Sequence, residues 1–151
     1  MDIAIDSSVL VGLLVSNDVW HAQTVALWDI IQRAGRTAVL FDCVVAEAVS
    51  VAARRLREKG RTADIPVLLS RLTTEMPYEA LTWILPEVPR LYPHVLDLVK
   101  SSSGELNFND GLLALCCRER GIPSIASFDS DFDLVPWLTR VSSPSDLQVT
   151  R

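Results

Sequence analysis

Leu106–Asp133, LNFNDGLLALCCRERGIPSIASFDSDFD, sets the reading of the whole chain. Asp110 opens a helix whose Leu112, Leu113, Leu115, Cys116 and Cys117 supply a wide apolar face. Arg118, Glu119 and Arg120 end that helix in water, Gly121 is a natural C-terminal stop, and Pro123 prevents continuation. Ser124-Ile125-Ala126 is a short uncharged run suited to a strand buried on both faces. It leads into Ser127-Phe128-Asp129-Ser130-Asp131-Phe132-Asp133. One carboxylate thus lies at a helix start and another just past the C-terminal end of a strand. In parallel α/β sheets those ends line the ligand crevice. Acids gathered there repel one another, and a divalent cation is the usual remedy.

Outward from this stretch, 151 residues fit one domain, expected over 1–142 with a polar, frayed tail over 143–151. Hydrophobic residues make up 49% and charged residues 22%, the balance of a soluble globular protein. The chain opens Met1-Asp2-Ile3, with an acid where a secretory leader has its basic region, and no apolar run is long enough to span a bilayer. Three cysteines, two of them adjacent, argue for a reducing, cytoplasmic setting over a disulfide framework. The net charge of −5 speaks against a duplex-coating protein, but not against an enzyme whose acidic pocket meets nucleic acid locally.

Asp2–Ile5 reads as a first strand ending at Asp6, with Ser7 and Ser8 able to cap a helix through Leu14. Taken alone, Asp6 is also a good N-cap. Trp20–Arg33 is an amphipathic helix, and His21 in its first turn reads as structural. Thr37–Phe41 is a second strand, and Asp42 can cap a long helix from Cys43 to Lys59. Glu47 sits in that helix among Val44, Val45, Ala46, Ala48 and Val49; it needs a partner there unless it lies on the outer stripe. The only basic cluster, Arg54 to Arg61, ends the same helix. Arg54 follows Glu47 by seven residues, so the two share a face about 10 Å apart, a spacing that suits a phosphate backbone crossing an acidic site. For any single Arg, a solvated helix end with cations favoured by the dipole is the simpler reading. Thr62–Leu72 is a short helix, Thr82–Leu85 a third strand, Glu87–Lys100 a helix bent at Pro93, and Thr139–Val141 an edge strand.

Several chemistries fail on spacing. Asp129, Asp131 and Asp133 begin like a calcium loop, but Leu134 replaces its glycine and Arg140 its bidentate Glu. Cysteines at 43, 116 and 117 and histidines at 21 and 94 give no zinc pattern, and no glycine-rich phosphate loop follows a strand. Cys116 and Cys117 lie mid-helix as core residues. A phosphatase or receiver domain also places acids at strand ends, yet Asp6 lacks a paired Asp and no late strand is followed by a lysine. What survives is Asp6, Glu47, Asp110 and Asp129, each at a strand end or near a helix start.

With those residues in order, the chain resembles the PIN-domain family, in particular the VapC-like ribonuclease toxins of VapBC toxin–antitoxin pairs. The resemblance rests on Ile5-Asp6-Ser7-Ser8-Val9-Leu10, Ala46-Glu47, Asn107-Phe108-Asn109-Asp110 and Ser127-Phe128-Asp129-Ser130-Asp131-Phe132, and spans nearly the whole chain. It implies an α/β fold, a PIN-like α/β/α sandwich with a central parallel sheet flanked by helices. It further implies a metal-dependent endoribonuclease with Asp6, Glu47, Asp110 and Asp129 as catalytic and metal-holding acids. Mg²⁺ or Mn²⁺ is the implied cofactor, since hard oxygen ligands without imidazole suit these ions. Ser127 and Asn107 are expected to support the acids, with Asp131 as an additional one, and Arg54 and Arg55 to contact RNA. The implied partners are an RNA substrate, an antitoxin protein and a second copy of the chain. The rival reading is a PIN-like module that grips RNA or protein without cutting.

Overall fold

The computed structural model describes residues 1–147. Their centre is a four-stranded sheet in the order β2-β1-β3-β4, with β1 at Asp2–Ile5, β2 at Thr37–Val39, β3 at Ser124–Ala126 and β4 at Thr139–Val141. Every pairing is parallel: Ile3 sits opposite Ala38, Ile5 opposite Ala126, and Ile125 opposite Arg140. Successive strand residues face opposite sides. Ile3, Ala4 and Ile5 are all fully buried, as are Ile125 and Ala126, so both faces of the central strands are covered. Such strands carry no polar alternation, which is why these runs are continuously apolar.

The cover comes from six α-helices: α1 (Ser7–Leu14), α2 (His21–Arg33), α3 (Asp42–Glu58), α4 (Ile65–Glu75), α5 (Val88–Ser101) and α6 (Phe108–Glu119). Helix α6 buries Leu112, Leu113, Leu115, Cys116 and Cys117 and ends at Gly121, whose φ of 65° is the left-handed conformation that favours glycine. Two close approaches set the helix packing. A Cβ at Gly12 would collide with the Thr24 side chain where α1 meets α2, and one at Gly111 would reach Val95 Cγ1 at 3.3 Å, where α6 meets α5. His21 is structural, its Nδ1 2.7 Å from the Gly12 carbonyl oxygen.

The sheet reverses its order between β1 and β3, and at such a switch point the C-terminal strand ends open a crevice. One expected strand is absent. Thr82–Leu85 makes a single parallel bridge, Phe41 to Thr82, and then turns into a 3₁₀ segment at Leu85–Glu87. The reason is Asp42. It is the first residue of α3 rather than its cap, and its carboxylate accepts from the N–H groups of Cys43 and Ile84 at 2.9 Å and Leu85 at 3.0 Å. Those donors are taken from any ladder, and Pro86 has none to offer. At the other end, Asp146 accepts from the N–H groups of Ser142 and Ser143 and holds a 3₁₀ turn at Pro144–Leu147 against α2. The remainder of the tail expected over 143–151 lies outside the described residues.

Candidate active site

The first acid is placed by the sheet itself. Asp6 donates its backbone N–H to the Ala126 carbonyl of β3 at 3.0 Å, and its side chain caps α1. Asp6 thus follows β1 directly and caps α1. Asp6 Oδ2 accepts from Ser8 Oγ and Ser127 Oγ, each at 2.7 Å. The two hydroxyls also accept, Ser8 from the Phe128 N–H at 3.1 Å and Ser127 from the Asp129 N–H at 2.9 Å. Each hydroxyl uses its donor on Asp6 and its acceptor on the loop after β3, so that loop is fixed to the first acid at two points.

Asp129 caps the short 3₁₀ turn at Ser130–Leu134, its Oδ1 accepting from the Asp131 N–H at 2.9 Å. Asp110 lies at the third position of α6 in a reciprocal capping box with Asn107. Asn107 Oδ1 accepts from the Asp110 N–H and Asp110 Oδ2 from the Asn107 N–H, both at 3.0 Å. Asn107 thus combines the two roles open to it, cap and support. Glu47 is half-buried in the second turn of α3. The Ser7 hydroxyl, 3.5 Å from Asp6 Oδ1, also eases the charge of Glu47.

The four acids share one electrostatic neighbourhood. Burial pushes the Asp110 carboxyl up to about 7; the charges of Asp6, Asp129 and Glu47 add to this, and only the Asn107 N–H opposes it. Glu47 is also raised, first by burial and then by Asp6 and Asp129. Half-buried Asp131 is raised by burial and by Asp129. No basic side chain among the described residues acts on Asp110 or Glu47, while Arg140, paired with Asp133, also feels the charge of Asp129.

The donor chemistry fits a hard divalent cation, since the four acids offer carboxylate oxygens without imidazole and burial pushes the thiol of nearby Cys43 up to about 12. Asp6, Asp110 and Asp129 are each anchored mainly through one oxygen, leaving the other for a ligand. Among the described residues, no three metal-ligating side chains already converge on one point at ligand distance. Full convergence of uncompensated carboxylates would be costly, so the two observations are compatible.

Two clefts flank the acids. One of about 340 Å³ is lined by Cys43, Glu47, Ser50, Leu85 and Asn109. The other, of about 160 Å³, is lined by Ser7, Ser8, Val11, Trp20, Val51 and Arg55. The smaller of these contains none of the four acids but adjoins Asp6 through Ser7 and Ser8, whereas a third cleft, of about 200 Å³ beside α4, lies apart from this chemistry. Arg54 is exposed and makes only a loose 4.0 Å contact with Glu58. Arg55 instead forms an ion pair with the nearly buried Asp18 and reaches the smaller cleft. Sequence reading missed Asp18, the Trp20–Phe128 ring stack and the bridging role of Ser8. Only the position of Phe128 between Ser127 and Asp129 hinted at any of these.

Fold and site together define a parallel-sheet α/β domain with an acidic cleft at its topological switch point. The chain belongs to the PIN-domain family, whose sequence profile matches residues 3–138, a span that contains all four acids. Among solved structures it is similar to the Mycobacterium tuberculosis toxin VapC20, described as cleaving the sarcin–ricin loop. The TM-score is 0.66 at 18% identity, covering 89% of this chain and 95% of that one, a likeness of fold. No curated relative matches the sequence.

Proposed function

We propose that this chain is a metal-dependent endoribonuclease, the toxin of a type II toxin–antitoxin pair. Asp6, Asp110, Asp129 and Glu47 hold Mg²⁺ or Mn²⁺. The observation that carries this reading is the set of four acids at one sheet edge, with Asp110 pushed up to about 7 and no basic residue among those described acting on it. So concentrated a set of acids is unfavourable in the free protein, and a cation-dependent function accounts for it.

The chemistry such an ion supplies is charge neutralisation at the phosphate and acidification of the attacking water. Around it the chain's own groups have separate tasks. Ser8 and Ser127 hold Asp6 by one oxygen. Asn107 fixes the rotamer of Asp110, and the Asp131 N–H fixes Asp129. Glu47 or Asp129 takes the proton of the water as it attacks phosphorus in line with the departing ester oxygen. A raised proton affinity at Glu47 suits it to that task. VapC20's similarity of fold supports the toxin assignment, and with it an antitoxin partner, a homodimer and a cytoplasmic setting. No helix among the described residues is long and apolar enough to cross a membrane.

The test is cleavage of a mixed RNA pool with Mg²⁺ or Mn²⁺ by the native protein and by Asp110→Asn. Cleavage that requires the ion and is lost in the variant is the expected result. Equal cleavage by both proteins would place the chemistry elsewhere. RNA binding without cleavage under every metal condition would favour a non-catalytic binding module.

A further inference from the structure

Trp20 and Phe128 lie face to face, ring centroids 4.9 Å apart and planes within 12°. The pair is not a core contact, because Trp20 remains 39% exposed and forms a wall of the cleft lined by Ser7, Ser8 and Arg55. Both rings are tied to the acid site. Phe128 lies between Ser127 and Asp129, and its N–H donates to Ser8 Oγ, which in turn donates to Asp6. The backbone of Trp20 is pinned from below, its N–H donating to Asp18 Oδ1 at 2.9 Å. The other oxygen of the same carboxylate accepts from Arg55 Nη1. One nearly buried acid therefore holds both the backbone of Trp20 and the Arg55 guanidinium, and the stack on Phe128 sets the plane of the ring. That guanidinium keeps further N–H donors, since arginine carries five.

An exposed aromatic ring that lines a cleft with an arginine, and stacks on a ring next in sequence to Asp129, is suited to an unpaired nucleobase and its phosphate. A base in a duplex has both faces covered and cannot stack there. We propose that Trp20, braced by Phe128, is a stacking platform for one unpaired base of the RNA substrate, with Arg55 holding the phosphate beside it. The identity of the ligand rests on the ribonuclease reading. The platform itself selects single-stranded or flipped-out substrate over paired RNA, independently of base identity.

The test separates binding from cleavage by using Asp110→Asn as a non-cutting background. Binding is measured to a single-stranded oligouridylate, to the same oligouridylate paired with oligoadenylate, and to a ribose-phosphate strand of equal length without bases. The background protein is expected to prefer the oligouridylate over both others. Adding Trp20→Ala should weaken that complex by about 5-fold to about 150-fold, the range for loss of one base–aromatic stack, and Trp20→Phe should recover most of it. With Trp20→Ala the difference between the base-bearing and base-free strands should shrink. A purely structural role for Trp20 would lower binding to both strands alike and leave that difference intact. No binding of oligouridylate, or an undiminished base-dependent difference after Trp20→Ala, overturns the proposal. If Trp20-dependent binding persists while the native protein never cleaves RNA with Mg²⁺ or Mn²⁺, the nuclease reading fails and the platform stands.

Discussion

Asp6 and Asp42 follow neighbouring parallel strands, and each begins a helix at the same edge of the sheet. Both are about 5% exposed. Their surroundings are opposite. The Asp42 carboxylate is consumed by three backbone N–H groups and joins the start of α3 to the 82–85 segment. Asp6 shares its space with Glu47, Asp110 and Asp129, and is held through hydroxyls that leave one oxygen largely uncommitted. A buried acid at a strand end is thus not in itself a sign of chemistry. The difference lies in whether the protein has supplied the donors that satisfy it.

Substitutions at these two places should separate activity from stability. The largest effect is expected among the four gathered acids. Asp6→Asn or Asp110→Asn should lower metal-dependent RNA cleavage by about 100-fold or more, read as initial rates at saturating metal. Asp42→Ala should leave the pH and metal dependence of turnover unchanged while costing about 2–4 kcal/mol in denaturant unfolding, because three buried or half-buried donors lose their acceptor.

A third prediction turns on pH. The folded-state value of Asp110 lies near 7 against an ordinary 3.8, so the folded protein binds more protons than the unfolded chain between these values. Stability from this group is full below about pH 4 and is lost as pH rises through 7. In metal-free protein at pH 8, Asp110→Asn should therefore raise stability by up to about 4 kcal/mol, given about 1.4 kcal/mol per unit over the displacement from 3.8 to about 7, with no gain near pH 4. Asn also preserves an acceptor for the Asn107 N–H. The smallest effect is expected for Ser127→Ala. It removes the bridge between Asp6 and the Asp129 N–H, and should cost about 1 kcal/mol and roughly 10-fold in cleavage.

Much of this arrangement was legible from residue order. Continuous apolar runs marked β1 and β3, and Gly121 with Pro123 marked the end of α6, because those signals act locally. The acids were legible for the same reason: each follows a strand or sits near a helix start. What was hidden depends on partners distant in sequence. Thr82–Leu85 reads as a strand until Asp42, about forty residues earlier, takes its N–H groups. Arg55 belongs to a basic cluster until the fold brings Asp18 beneath it. Trp20 reads as the start of an amphipathic helix, and only the fold shows that it stacks on Phe128, more than a hundred residues away, and lines a cleft with Ser7, Ser8 and Arg55.

The central claim is that the four carboxylates form a cation site, and calorimetric titration with Mn²⁺ near pH 7 tests it most directly. In two buffers of different ionisation enthalpy, the native protein is predicted to bind Mn²⁺ with net proton release, because an Asp110 carboxyl held near 7 must ionise to serve as a ligand. Asp110→Asn should bind more weakly and release fewer protons. Native protein that takes up no Mn²⁺, or an Asp110→Asn variant with the same affinity and proton release, would contradict the account.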